Sequence, residues 1–179
     1  MSNGEATFST GMTALMAFLI VVVLIIAFFI RRQIKRAQYG DEYIRWGTSK
    51  EKSRQYDDAM KCYMAAEEVY RENGDEAGRA RAYYLAGMME SKRENHEEAR
   101  KYYRKAEPIA RESSPPEDLG YLLMNLGETE EELGNEKKAM KYYADAADVY
   151  EKAGDNEGLL FAQERLNYEG EGNEDDDEE

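Results

Sequence analysis

Few side chains in this 179-residue chain are suited to covalent or acid–base chemistry, since it holds one histidine, His96, and one cysteine, Cys62. A nucleophilic cysteine needs a base or cation that keeps it as thiolate, and no histidine lies near Cys62 in sequence. Cys62 adjoins Tyr63 on a predicted packed helix and reads as a small core or half-buried residue. His96 falls in a predicted turn between two helices and reads as a packing or capping residue. No H-E-x-x-H pair, phosphate-binding glycine loop or Ser-His-Asp order is present. Eight of the eleven residues Glu169–Glu179 are acidic, but without a turn-forming glycine at ligand spacing they do not make a calcium loop. No catalytic, cofactor-binding or metal-ligating residues are therefore assigned, and neither an enzyme activity nor a small-molecule substrate is expected.

What remains is recognition, and the elements that would support it recur. Gly47, Gly87 and Gly127 stand forty residues apart. Each is followed at fixed offsets by alanine (Ala59, Ala99, Ala139), tyrosine (Tyr63, Tyr103, Tyr143), a second alanine (Ala66, Ala106, Ala146) and an aliphatic residue (Val69, Ile109, Val149). Steps of 4, 3 and 3 place these side chains on one stripe of a helix. Self-similarity at such a period means stacked supersecondary units with an extended binding surface. Glycine costs about 1 kcal/mol against alanine inside a helix, so its repetition predicts a neighbouring helix too close for a Cβ. Gly74-Asp75 and Gly154-Asp155 are predicted breaks between pairs. Ser114-Pro115-Pro116-Glu117 reads as a capping box with proline in the first turn, and Pro108 as a kink inside a helix.

Met12 to Ile30 carries no charge and only Thr13 as a polar side chain. These residues as a helix span roughly 28 Å, which matches a bilayer core. No basic residue precedes position 31 and no A-x-A site follows the run, so a membrane anchor is predicted and not a cleaved signal. Arg31, Arg32, Lys35 and Arg36 flank it, whereas the preceding tail carries only Glu5. The bias predicts an N-terminus outside and the remainder cytoplasmic, at the plasma membrane or the endoplasmic reticulum. The same four residues could also meet anionic lipid headgroups. The net charge of −14 argues against nucleic-acid binding.

The runs Asn125-Leu126-Gly127, Leu133-Gly134-Asn135 and Ala139-Met140-Lys141-Tyr142-Tyr143 with Ala146 resemble a tetratricopeptide repeat. Its extended forty-residue period is similar to the repeats of the Partner of Inscuteable (Leu-Gly-Asn) adaptors, although Thr48, Met88 and Glu128 replace their Asn after Leu-Gly. The expected fold is all-α: a tetratricopeptide-like helical-hairpin solenoid preceded by a single transmembrane helix. Its divisions are a short tail (1–11), the anchor (12–30), a basic linker (31–40), three repeats with a capping helix (41–168) and a disordered acidic tail (169–179). The resemblance implies that the first helices of the pairs line a concave groove, formed by Ile44, Arg45, Thr48, Arg81, Tyr84, Leu85, Met88, Tyr121, Met124, Asn125 and Glu128. The clamp with which chaperone adaptors of the family hold a terminal carboxylate is missing, since Ile44, Thr48, Leu85 and Tyr121 occupy four of its places and Asn125 the fifth. The reading is a membrane-anchored adaptor that recruits a protein or peptide. The alternatives are a permanent structural or assembly subunit of a membrane complex, or an accessory to protein translocation and quality control. Protease added to sealed vesicles should spare the repeats until the membrane is opened. Changing the four basic residues to Gln should mix the two orientations, and digestion of the array without permeabilisation would overturn this topology.

Overall fold

The computed structural model describes the backbone of residues 3–172 and the side chains of residues 16, 18–30 and 38–167. Seven helices account for the described chain: α1 (Asn3–Lys52), α2 (Tyr56–Asn73), α3 (Glu76–Lys92), α4 (His96–Ser113), α5 (Pro116–Glu132), α6 (Glu136–Ala153) and α7 (Asn156–Gly172). The C-terminal part of α1 pairs with α2, α3 with α4 and α5 with α6, and α7 closes the stack. Helix α3 also touches α1 and α5, so the first helices of the pairs line one side, the inner face. This is an all-α helical solenoid. Residues 31–40, the expected basic linker, are helical, because α1 runs unbroken through them. Among the described residues no helix is long and apolar enough to cross a membrane. The expected span 12–30 extends beyond the side chains described there, and those of Arg31, Arg32, Lys35 and Arg36 also lie outside the described residues.

Tyrosine rings laid on glycines hold each pair together. Tyr63, Tyr103 and Tyr143 are wholly buried, and a Cβ at Gly47, Gly87 or Gly127 would come closer than 3.0 Å to the ring of each in turn. The recurrent glycines therefore face a ring on the paired helix. The Tyr63 hydroxyl donates to Glu51 Oε2 at 2.8 Å and that of Tyr143 to Glu131 Oε2 at 2.7 Å, so the buried phenols keep a partner. Glu51 also pairs with Lys92 of α3, and Glu131 with Arg165 of α7. A second set lies between pairs: Tyr70 rests on Gly40 and Gly78, and Tyr150 on Gly120 and Gly158.

The ends of the helices follow local chemistry. Gly74 and Gly154 adopt left-handed conformations (φ 69° and 73°). Asp75 then accepts from the Gly78 N–H at 2.8 Å and Asp155 from that of Gly158 at 3.0 Å. The middle break differs from both. Ser114 is extended and its side chain caps nothing; Pro115 holds the N-cap position and Pro116 begins α5. The expected capping box is not formed, because Pro116 keeps Pro115 extended, so α5 begins one residue later and Pro115, which has no side-chain acceptor, takes the N-cap position. Helix α4 continues through Pro108 to Ser113.

Gly127→Ala sets a helix-propensity gain of about 1 kcal/mol against overpacking of roughly 1–3 kcal/mol. The ring it meets is fully buried and has nowhere to go. The variant should melt lower than wild type, and Tyr143→Leu added to it should cost less than it does alone. A higher melting temperature for Gly127→Ala would refute the ring-on-glycine contact.

Candidate functional site

The residues expected to form the groove do not all reach it. Ile44 and Met124 are buried, 5% and 3% exposed, within the hydrophobic clusters of the first and third pairs. They cannot touch a partner, because each sits on the stripe of its helix that faces the second helix. Leu85 and Met88 are half-buried against the first and middle clusters. Arg45 is exposed on α1, and the Thr48 hydroxyl donates back to the Ile44 carbonyl at 3.0 Å. Tyr84 is half-buried and not a free anchor: its ring centroid is 5.9 Å from that of Tyr103, and its hydroxyl accepts from Asn125 Nδ2 at 3.3 Å. Asn125 Nδ2 also donates to the Tyr121 carbonyl at 2.8 Å. Tyr121 is 55% exposed and meets Tyr150 edge-on at 6.1 Å.

Four of the expected residues do converge. Arg81, Tyr84 and Leu85 of α3 and Tyr121 of α5 line a cavity of about 240 Å³. Ala80, Ala110, Ser114, Asp118 and Leu122, none of which the groove assignment included, complete it. Its base is apolar, with Ala110 and Leu122 buried, while Arg81, Asp118 and Tyr121 are exposed. A cleft with an apolar base and a few polar groups at its mouth is the usual form of a binding site.

The residues singled out for chemistry lie elsewhere. His96 is the first residue of α4, and its Nδ1 is buried without a hydrogen-bond partner among the described residues. It faces a polar cleft with Ser91, Glu128, Glu131 and Arg165, and Cys62 is on a different helix, α2. Burial pushes the Cys62 thiol up, opposite to what a reactive thiolate needs.

Two family profiles, both described as tetratricopeptide repeat, match residues 43–112 and 120–153. Those limits coincide with the helix pairs. The array is built of tetratricopeptide repeats. No curated protein matches the sequence. Solved structures resemble the tetratricopeptide array closely in shape and distantly in sequence. The apo form of RapI is 18% identical with a TM-score of 0.71, over 78% of this chain and 39% of that one. Aspartyl phosphate phosphatase F from Bacillus subtilis is 20% identical with a TM-score of 0.64, over 71% and 33%. The TPR2AB domain of yeast Sti1, in complex with pHSP90, is 20% identical with a TM-score of 0.58, over 73% and 48%. The chain thus spans about two fifths and one third of the first two, and at these identities the likeness concerns the fold.

Burial pushes the Tyr84 phenol up to about 12, with the Asn125 hydrogen bond opposing it. Burial pushes Tyr103 higher still, and Tyr63, Tyr70, Tyr143 and Tyr150 are raised for the same first reason. An unfolded phenol titrates near 10. Below that pH both states keep the proton and stability is unaffected; above it only the unfolded state releases the proton. Stability should therefore fall as pH rises from 10, by up to about 1.4 kcal/mol per pH unit for each raised tyrosine. Melting temperatures between pH 9 and 11.5 should show this decline, and Tyr103→Phe should make it shallower.

Proposed function

We propose that this protein is a membrane-anchored adaptor whose tetratricopeptide repeats recruit a cytoplasmic protein or peptide through the inner face. The observation that carries this reading is the cavity between α3 and α5, where Arg81, Leu85 and Tyr121 combine an apolar base with a charged and an aromatic residue at the mouth. Aromatic and arginine side chains dominate interface energetics. The pHSP90 complex of the yeast Sti1 domain is a precedent for a protein ligand on this fold. Support for the anchor comes from the N-terminal part of α1. Phe18, Leu24, Phe28 and their apolar neighbours are exposed around the helix among the described residues. A helix apolar all round is suited to lipid or to another apolar partner, not to water. With Arg31, Arg32, Lys35 and Arg36 following it, the positive-inside bias leaves the N-terminus outside and the repeats in the cytoplasm.

Arg81→Glu combined with Tyr121→Ala removes two exposed side chains at the cavity mouth. Affinity capture with the full chain as bait should recover a partner that the double variant binds thirtyfold more weakly or worse, because a lost hot spot costs about 2 kcal/mol or more. Its melting temperature should stay at the wild-type value, as expected for surface changes. Truncation after Tyr168 should alter association rate and salt dependence only. Loss of the partner on truncation, with retention in the double variant, would make the acidic tail the recognition element.

A further inference from the structure

The cavity lies where the middle repeat departs from the two that flank it. In the first repeat the Tyr70 ring rests on Gly40 and Gly78, and its hydroxyl donates to Asp41 Oδ1 at 2.7 Å. In the third, Tyr150 rests on Gly120 and Gly158 beside Tyr121. Forty residues from each of these tyrosines stands Ala110. Ala80 and Asp118 stand where the flanking repeats have glycine, and Arg81 where the first repeat has Asp41. All four line the 240 Å³ cavity. The array thus has three equivalent ring sites. It fills two with its own tyrosines and leaves the middle one open to the inner face.

We infer that this open site takes an aromatic side chain from a bound peptide segment, with a carbonyl or carboxylate of the peptide on Arg81 and a backbone N–H on Asp118. The inference rests on the inner face being the binding surface. Size supports it, since an apolar cavity of about 150 Å³ already holds benzene. Shape supports it, since the same site holds a phenol ring on either side. Charge supports it as well: Arg81 is exposed and has no ion pair among the described residues, so it is free to meet an acceptor. The Cβ atoms of Ala80 and Asp118 would crowd a tyrosine attached to α4, because a Cβ at the matching glycines comes closer than 3.0 Å to the ring. A ring entering from the inner face is not tied to α4 and can tilt away from them.

The test uses the full chain in mild detergent with methyl-labelled alanine and, as probe, N-acetyl-phenylalanine. Saturable shifts of the Ala80 and Ala110 methyls are expected, at least tenfold weaker with N-acetyl-alanine and severalfold weaker in Arg81→Gln. Ala110→Leu, which fills the base, should abolish the Ala80 methyl shift while helical content is retained. Should that variant unfold, the triple variant Ala80→Gly, Ala110→Tyr, Asp118→Gly decides. It rebuilds the flanking arrangement, so it should melt higher than wild type and retain no probe in equilibrium dialysis, a readout that needs neither alanine methyl and in which wild type should retain the probe. Equal shifts from the two probes, or probe binding that survives in a folded site-filled variant, would overturn the inference. So would shifts that follow protein concentration without probe, since a second copy would then occupy the site. The probe assay is independent of partner capture: a failed probe with capture still lost in the Arg81/Tyr121 variant refutes the ring site and leaves the adaptor reading standing.

Discussion

Within each pair, the helices approach until a tyrosine ring on one occupies the space a Cβ would take at a glycine on the other, and the rest of the array is organised around that contact. The rings of Tyr63, Tyr103 and Tyr143 are buried with no exposed surface, so their hydroxyls must find acceptors inside the protein. In the first and third pairs the acceptor is a carboxylate, Glu51 or Glu131. That carboxylate is shared with a cation of the next unit, Lys92 or Arg165, and the Arg165 guanidinium also lies 5.3 Å from the Tyr143 ring centre. One contact therefore fixes the spacing inside a pair and ties the pair to its successor, which is where a repeat array finds its cooperativity.

The middle pair breaks this arrangement twice. Ser91 stands where Glu51 and Glu131 stand in the others, and among the described residues the Tyr103 hydroxyl donates to Asn125 Oδ1 at 3.5 Å. Asn125 belongs to α5 of the third pair and in turn donates to Tyr84, so the middle ring is joined to the next pair directly, through an amide on the inner face, and not through a carboxylate on its own partner helix. Ala110 is the second departure, and it opens the cavity. Departures from an otherwise consistent local pattern tend to gather at functional sites. Here both fall in one repeat and are directed to one face.

Helix α1 joins the apolar segment to the first repeat without a break. On the proposed topology, residues 31–40 form a helical stalk of about 15 Å between the membrane and the array. On that topology a helical stalk would hold the inner face at a set distance from the bilayer, whereas a flexible linker would let it sample many. The stalk ends at Gly40, whose missing Cβ makes room for Tyr70, so the first inter-pair contact begins where the repeat array does.

Much of the fold was legible in the sequence because helix pairing is periodic. Gly47, Gly87 and Gly127 with their partner tyrosines announced three pairs, and Asp75 and Asp155 announced two of the caps. A second tyrosine series was there to be seen as well: Tyr70 and Tyr150, each bracketed by glycines, with Ala110 between them. Comparing the repeats for what is missing, as well as for what recurs, would have pointed to the cavity. The sequence could not separate the stripe of each first helix that packs against its partner from the stripe that faces inward. These stripes adjoin within a turn, and Ile44 and Met124 fell on the packed one. Nor could it show that a missing ring leaves open space. Neighbouring helices can close over a small residue or stay apart, and that choice depends on the Tyr70 and Tyr150 contacts holding α3 and α5 in place on either side. Local residue patterns determined the elements and their order; only tertiary packing decided which surfaces remained free.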